Sequence, residues 1–302
     1  MSHYFKGVIA EPMISYNPDG SIDYPTTEKI FRHLAERGAT ALFINGFGDE
    51  CYSLSLQERV DVIKAGITAT AGTACEPIGV VMVTCLRDAL WLIQEYEKAG
   101  VTSLSITPPP FYQLTDESMY RYLGDQLSST KLPTMLYNCR EMDELVSPEM
   151  LGTLAHDFRN LRGYKDATRD PIHLTYCIDA VDDIEDFCFL SGCDATFYMH
   201  LRHGATGTVS FMSVPFIDQM KDIYDCYQAG DYDKAWQAQR LVLTLRTFMK
   251  RYPDSAAYIY AMKYTAGIDV RGTRHPDHML YIPDEDKLEF DALVEKLGIG
   301  RF

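Results

Sequence analysis

Apolar runs of four to eight residues alternate along this chain with longer stretches whose apolar positions recur at helical spacing. Phe5-Lys-Gly-Val-Ile-Ala-Glu-Pro12 reads as a strand, and Asn17-Pro18-Asp19-Gly20 as a turn. Thr26 or Thr27 can then cap a helix through Ile30 and Leu34 that stops at Gly38. The pattern repeats: strand Ala41–Asn45, helix Leu56–Ala71 behind the capping box Ser55/Glu58, strand Pro77–Thr84, helix Leu86–Gly100, strand Ser103–Thr107, helix Asp116–Ser128. Strand Thr134–Tyr137, helix Ser147–His156, strand Arg162–Lys165 and helix Pro171–Ala180 follow. Strand Phe187–Leu190, helix Ala195–Arg202, strand Thr206–Phe211 and helix Val214–Ala229 complete the series. Eight strand-plus-helix units predict an α/β fold, a (β/α)8 TIM barrel over residues 1–230 that carries the active site. A doubly wound sheet would want a phosphate-binding glycine turn after its first strand, which this sequence lacks. Past Gly230 the strands stop, and Tyr232–Arg251, Ser255–Ala266 and Asp284–Leu297 read as three helices.

In such a barrel, side chains at the C-terminal strand ends face one mouth. That rule gathers Phe47, Gly48, Thr84, Tyr112, Tyr137, Lys165, Gly192 and Ser210 around a single pocket. Lys165 stands out, lying among small and uncharged neighbours in Leu161-Arg-Gly-Tyr-Lys-Asp-Ala-Thr-Arg-Asp170. An ordinary lysine, with a pKa of about 10.4, is neutral only about once in two thousand at pH 7. Desolvation disfavours the ammonium, and a downward shift of roughly 3 units would leave an amine able to condense with a ketone. The resulting imine is the electron sink needed to make or break a bond two carbons away. Tyr137 ends the strand 28 residues earlier, so the two side chains can lie side by side.

The Tyr137-Asn138 step, followed by Gly163-Tyr164-Lys165-Asp166-Ala167-Thr168, resembles the dihydrodipicolinate synthase / N-acetylneuraminate lyase family, and the resemblance runs from Lys6 to Leu297. It implies a class I aldolase or lyase without a cofactor, in which Lys165 attacks C2 of a 2-oxo acid and Tyr137 relays protons. It also implies a C-terminal helical domain, 231–302, with Gly272-Thr-Arg274-His-Pro276 as its linker, a second tyrosine, Tyr112, in a loop that sometimes crosses a subunit contact, and a homo-oligomer, commonly a tetramer built from dimers. Thr168, Gly192, Asp194 and Ser210 become candidate substrate contacts.

Several positions depart from the family pattern. The family loop Gly-[Ser/Thr]-[Ser/Thr]-Gly-Glu, which grips the pyruvate carboxylate, reads Gly46-Phe47-Gly48-Asp49-Glu50 here. Backbone N–H groups at 47 and 48 can still bind a carboxylate, but the side-chain hydroxyls are gone. An aromatic in this loop is similar to the Thr-Phe-Gly-Glu of hydratase-aldolases that act on aryl-substituted pyruvate adducts. Dihydrodipicolinate synthases carry an arginine five residues after the tyrosine. This chain has Met142 there, and Arg140 is a candidate substitute. Sialic-acid lyases resemble Gly-x-Asp-Glu after strand 7, whereas Gly192-Cys193-Asp194-Ala195 keeps only the first acid. Two alternatives stay open beside the aldolase: a sugar-acid dehydratase using the same imine, and a barrel that binds 2-oxo acids without turnover.

Composition narrows the partners further. With 46% hydrophobic and 24% charged residues the 302-residue chain is globular, and a net charge of −15 argues against a nucleic-acid or anionic-membrane partner. An acidic surface can still surround a locally positive pocket. No apolar run reaches membrane-spanning length and the N-terminus lacks a signal-peptide core, so the cytoplasm is the expected compartment. Eight scattered cysteines without a C-x-x-C pair read as reduced thiols, and no metal site is expected.

Overall fold

The computed structural model describes residues 4–48, 50–139, 145–252, 255–274 and 282–300. Eight parallel strands close into a barrel in chain order: β1 (Gly7–Ala10), β2 (Ala41–Ile44), β3 (Glu76–Val81), β4 (Ser103–Ile106), β5 (Thr134–Asn138), β6 (Leu161–Asp166), β7 (Cys188–Ser191) and β8 (Gly207–Ser210). The helices α1 (Tyr24–Glu36), α2 (Leu56–Thr70), α3 (Leu86–Ala99), α4 (Asp116–Ser128), α5 (Pro148–Asp157), α6 (Pro171–Asp179), α7 (Phe197–Arg202) and α8 (Ile217–Gln228) connect and follow them. Beyond the eighth unit come α9 (Tyr232–Met249), α10 (Ala256–Ala266) and α11 (Asp284–Lys296).

Strand alternation builds two nested cores. Leu42, Ile44, Leu104, Leu136 and Tyr164 point outward into the layer shared with the helices. Ile9, Phe43, Val80, Met135, Tyr137, Leu190 and Val209 point inward and fill the barrel. The last strand meets the first at Gly7 and Gly207, where a Cβ on Gly207 would stand 2.2 Å from the Gly7 carbonyl oxygen. Closure at that seam therefore requires glycine.

Strands β1 to β4 and β8 are shorter than the apolar runs suggest, because residues such as Phe5 and Met82 continue the inward stripe beyond the ladder, whereas β5 and β6 run past the stretches read for them. The first helix also starts earlier than its threonines imply. Asp23 is the cap, accepting the Thr26 N–H at 3.2 Å, and Pro25 sits in the first turn, where a missing N–H costs nothing. Thr27 is buried, its hydroxyl taking the Ser15 N–H. At α2 both capping-box bonds are present, Glu58 N–H to Ser55 Oγ at 3.2 Å and Ser55 N–H to Glu58 Oε2 at 2.9 Å.

The described part of the segment read as a linker, Gly272–Arg274, is docked on the barrel. Arg274 grips Glu58 with two bonds, 2.9 and 2.6 Å, which hold that carboxyl down at a pKa of about 2. Thr273 Oγ1 and the Arg274 N–H both donate to Glu50, in the loop after β2. Among the described residues, no helix is long and apolar enough to cross a membrane.

Candidate active site

A cavity of about 670 Å3 opens at the C-terminal end of the barrel, with Lys165 at its floor. The strand register sets Lys165 of β6 beside Tyr137 of β5, both on inward positions. Lys165 is 1% exposed, with its Nζ 3.6 Å from the Tyr137 ring centre and 4.1 Å from that of Phe43. The ring face of Tyr137, held edge-on by Phe43, is thus what the lysine rests on.

Glu11 completes this cluster. It lies just past β1, two residues after the inward-facing Ile9, and its Oε2 is 3.2 Å from Lys165 Nζ. Its Oε1 accepts the Gly48 N–H at 3.0 Å. The sequence signal for Glu11 was its parity with Ile9, which puts an acid inside the barrel mouth. Three features therefore favour a charged Lys165: a carboxylate in contact and two aromatic faces. One of the two backbone donors expected to hold a substrate carboxylate already holds the chain's own.

Phe47 and Gly48 line one wall, with the Phe47 ring 6.1 Å from that of Tyr52. Burial pushes the Tyr52 hydroxyl above its ordinary pKa. Asn45, buried beneath the loop, donates to Tyr96 Oη at 2.8 Å and to the Arg59 carbonyl at 3.0 Å. Both Asn45 and Glu50 take left-handed backbone angles, so the loop is held in its bend at both ends. Gly192 also lines the cavity, where a Cβ would meet Ala167 and the Asp166 carbonyl oxygen at 2.8 Å.

Asp194 reaches the cavity from a 3-10 turn after β7, accepting from Ser210 Oγ and lying 3.6 Å from Arg246 Nε. Arg246 and Lys250 come from α9 and its end, and Arg169 from the loop after β6. Arg246 and Lys250 were outside the strand-end rule, because α9 belongs to no β/α unit. Gln239 of α9 braces the turn, donating to the Asp194 carbonyl and accepting the Tyr198 N–H, each at 2.9 Å. Tyr258 of α10 stacks on Phe211, another lining residue, with ring centres 4.2 Å apart. A chain with a net charge of −15 thus gathers Arg169, Arg246 and Lys250 around its pocket.

The remaining expected positions lie apart from the cavity lining. Ser210 faces away from the bore because Val209 takes the inward position, and its hydroxyl serves Asp194 and the Ser213 N–H. Thr168 folds back on Asp166 through its N–H and hydroxyl, at 3.2 and 2.8 Å. Thr84 is exposed, and Tyr112 is 51% exposed beside Phe111, which has a left-handed φ of 70°. Asp49, Arg140 and Met142 lie outside the described residues.

Comparison with known proteins agrees with this architecture. The dihydrodipicolinate synthetase family matches residues 4–297. The 4-hydroxy-tetrahydrodipicolinate synthase of Mesorhizobium japonicum is 26% identical, covering 97% of this chain and 99% of its own. The dihydrodipicolinate synthase from Cyanidioschyzon merolae, solved with lysine bound, superposes with a TM-score of 0.90 at 21% identity, over 99% and 100% of the two chains. YagE of Escherichia coli K12, solved in complex with pyruvate, gives a TM-score of 0.90 at 23% identity, over 98% and 99%.

Proposed function

The chain belongs to the dihydrodipicolinate synthetase family, pyruvate-dependent lyases that work through a Schiff base, and on that premise we propose that Lys165 is the imine-forming residue and that the aldehyde partner has an apolar or aromatic far end. The observation that carries the assignment is a buried lysine amine at the cavity floor, against the Tyr137 ring. Lys165 adds to C2 of the 2-oxo acid and water leaves. The iminium withdraws electrons from C3, Tyr137 relays the C4 hydroxyl proton to water or a substrate group, and the C3–C4 bond breaks to give an aldehyde and a pyruvate enamine. Protonation at C3 and hydrolysis then release pyruvate. The reverse sequence makes the same bond. The lysine itself is the electron sink.

Incubation with pyruvate and borohydride should add one reduced pyruvyl mass, on the peptide carrying Lys165. Label on Lys263 instead, or label persisting after Lys165→Ala, would overturn the assignment.

Phe47 supports the choice of partner. Its ring stands at the wall where the family has a hydroxyl, offering up to about 2 kcal/mol of apolar contact to whatever extends beyond C4. Phe47→Ser should lower kcat/KM for an apolar-tailed adduct by about tenfold while sparing small polar ones, measured across a panel of 2-oxo acids. If N-acetylneuraminate proved the best substrate of the unaltered protein, this preference would be wrong. We place the enzyme in the cytoplasm as a homo-oligomer, in which the exposed Phe111 and Tyr112 loop is available to a neighbouring subunit.

A further inference from the structure

We propose that Glu11 is a catalytic acid–base for imine formation, taking the proton that Lys165 must lose and returning it to the departing hydroxyl. The inference rests on the Schiff-base reading of Lys165 and adds a residue to it. Lys165 Nζ is the reacting atom, and Glu11 Oε2 lies 3.2 Å from it with no intervening group. The pair is sequestered, the side chains being 1% and 9% exposed.

Geometry also shows that the carboxylate is placed rather than accommodated. Its second oxygen takes the Gly48 N–H at 3.0 Å, and a Cβ on Gly46 would come within 2.7 Å of that same oxygen. The loop after β2 is therefore shaped around Glu11. A buried ion pair is a poor choice for packing alone, because apolar residues of similar size commonly give equal or greater stability. The same loop has lost both side-chain hydroxyls, at Phe47 and Gly48, so a proton carrier is wanted where the acid stands.

The steps balance. The resting pair is ammonium and carboxylate. Transfer of one proton gives a neutral amine and a neutral Glu11 carboxylic acid, which also relieves the repulsion a substrate carboxylate would meet beside the Gly48 N–H. The amine adds to C2. After a proton moves from nitrogen to oxygen, the carbinolamine carries an N–H and a hydroxyl. Glu11 protonates the hydroxyl, water leaves, and the iminium forms beside a restored carboxylate. Overall, ammonium plus ketone becomes iminium plus water.

The other ionisable groups lining the cavity are Glu50, Cys51 and Tyr52 after β2, Tyr137 on β5 and Arg169 after β6, with Cys193 and Asp194 after β7 and Arg246 and Lys250 from α9 and its end. Tyr258 packs behind Phe211 with its hydroxyl raised by burial. Of these, Tyr137 has its ring in contact with Lys165, and it is tested separately below.

The test is the rate of pyruvate trapping by borohydride from pH 6 to pH 10, in the unaltered protein, Glu11→Gln and Glu11→Asp. Glutamine keeps the shape and can still accept the Gly48 N–H, but cannot take a proton. At pH 7 its trapping rate should fall by about 10²-fold or more. The deficit should shrink by roughly tenfold per pH unit as solvent deprotonates Lys165. Aspartate should be intermediate, with a pH dependence like that of the unaltered protein. A damaged site would be slow at every pH, so an equal deficit across the range overturns the proposal, as does trapping by Glu11→Gln at the full rate. Failure of the unaltered protein to trap pyruvate would overturn the Schiff-base reading itself, and this inference with it.

Discussion

Lys165→Ala should abolish both imine trapping and turnover, with kcat falling by roughly 10⁴-fold or more, the scale seen when a nucleophile is removed. The alanine variant should also be less stable. Glu11 would be left buried with its charge unpaired, a loss of about 3–5 kcal/mol where one partner of a buried pair is deleted. Lys165→Arg separates the two effects. A guanidinium keeps a positive charge beside Glu11 yet stays protonated and forms no imine, so this variant should keep more of its stability and none of its activity. Thermal unfolding beside turnover decides the matter. Residual turnover in the arginine variant would move the nucleophile elsewhere.

Tyr137→Phe should lower kcat by about 10²-fold with folding intact. The geometry gives a specific reason to expect that separation. Lys165 and Phe43 both contact the ring of Tyr137, and phenylalanine keeps the ring. Only the hydroxyl disappears. Borohydride trapping should therefore be slowed and not lost, since imine formation needs the lysine while bond cleavage needs the proton acceptor. Unchanged kcat would return Tyr137 to packing alone.

The alternation of apolar strands and amphipathic helices made the barrel legible in the sequence, because each β/α unit carries its own hydrophobic period. Strand ends were less legible: residues such as Phe5 and Met82 keep the inward stripe going where ladder bonding has stopped. The pairing of Tyr137 with Lys165 could be read because neighbouring strands in a parallel barrel share a register. Ser210 was placed on the wrong side by counting strand ends without counting parity, which gives the bore to Val209. Glu11 is separated from its partner by 154 residues, and a polar residue closing a strand looks like the start of a loop. Arg246 could not be reached by a rule about strand ends, since a helix outside the barrel carries it.

That last placement has an evolutionary consequence. The reactive floor is encoded by strands near positions 11, 137 and 165, while two of the cations at the rim are encoded within α9 and just beyond it. Floor and rim lie in separate stretches of the gene. Mutations confined to one late segment can redraw the charge that an incoming molecule first meets and leave the bond-making residues untouched. A lineage carrying this arrangement can drift toward new substrates by altering its final quarter, with the chemistry inherited whole.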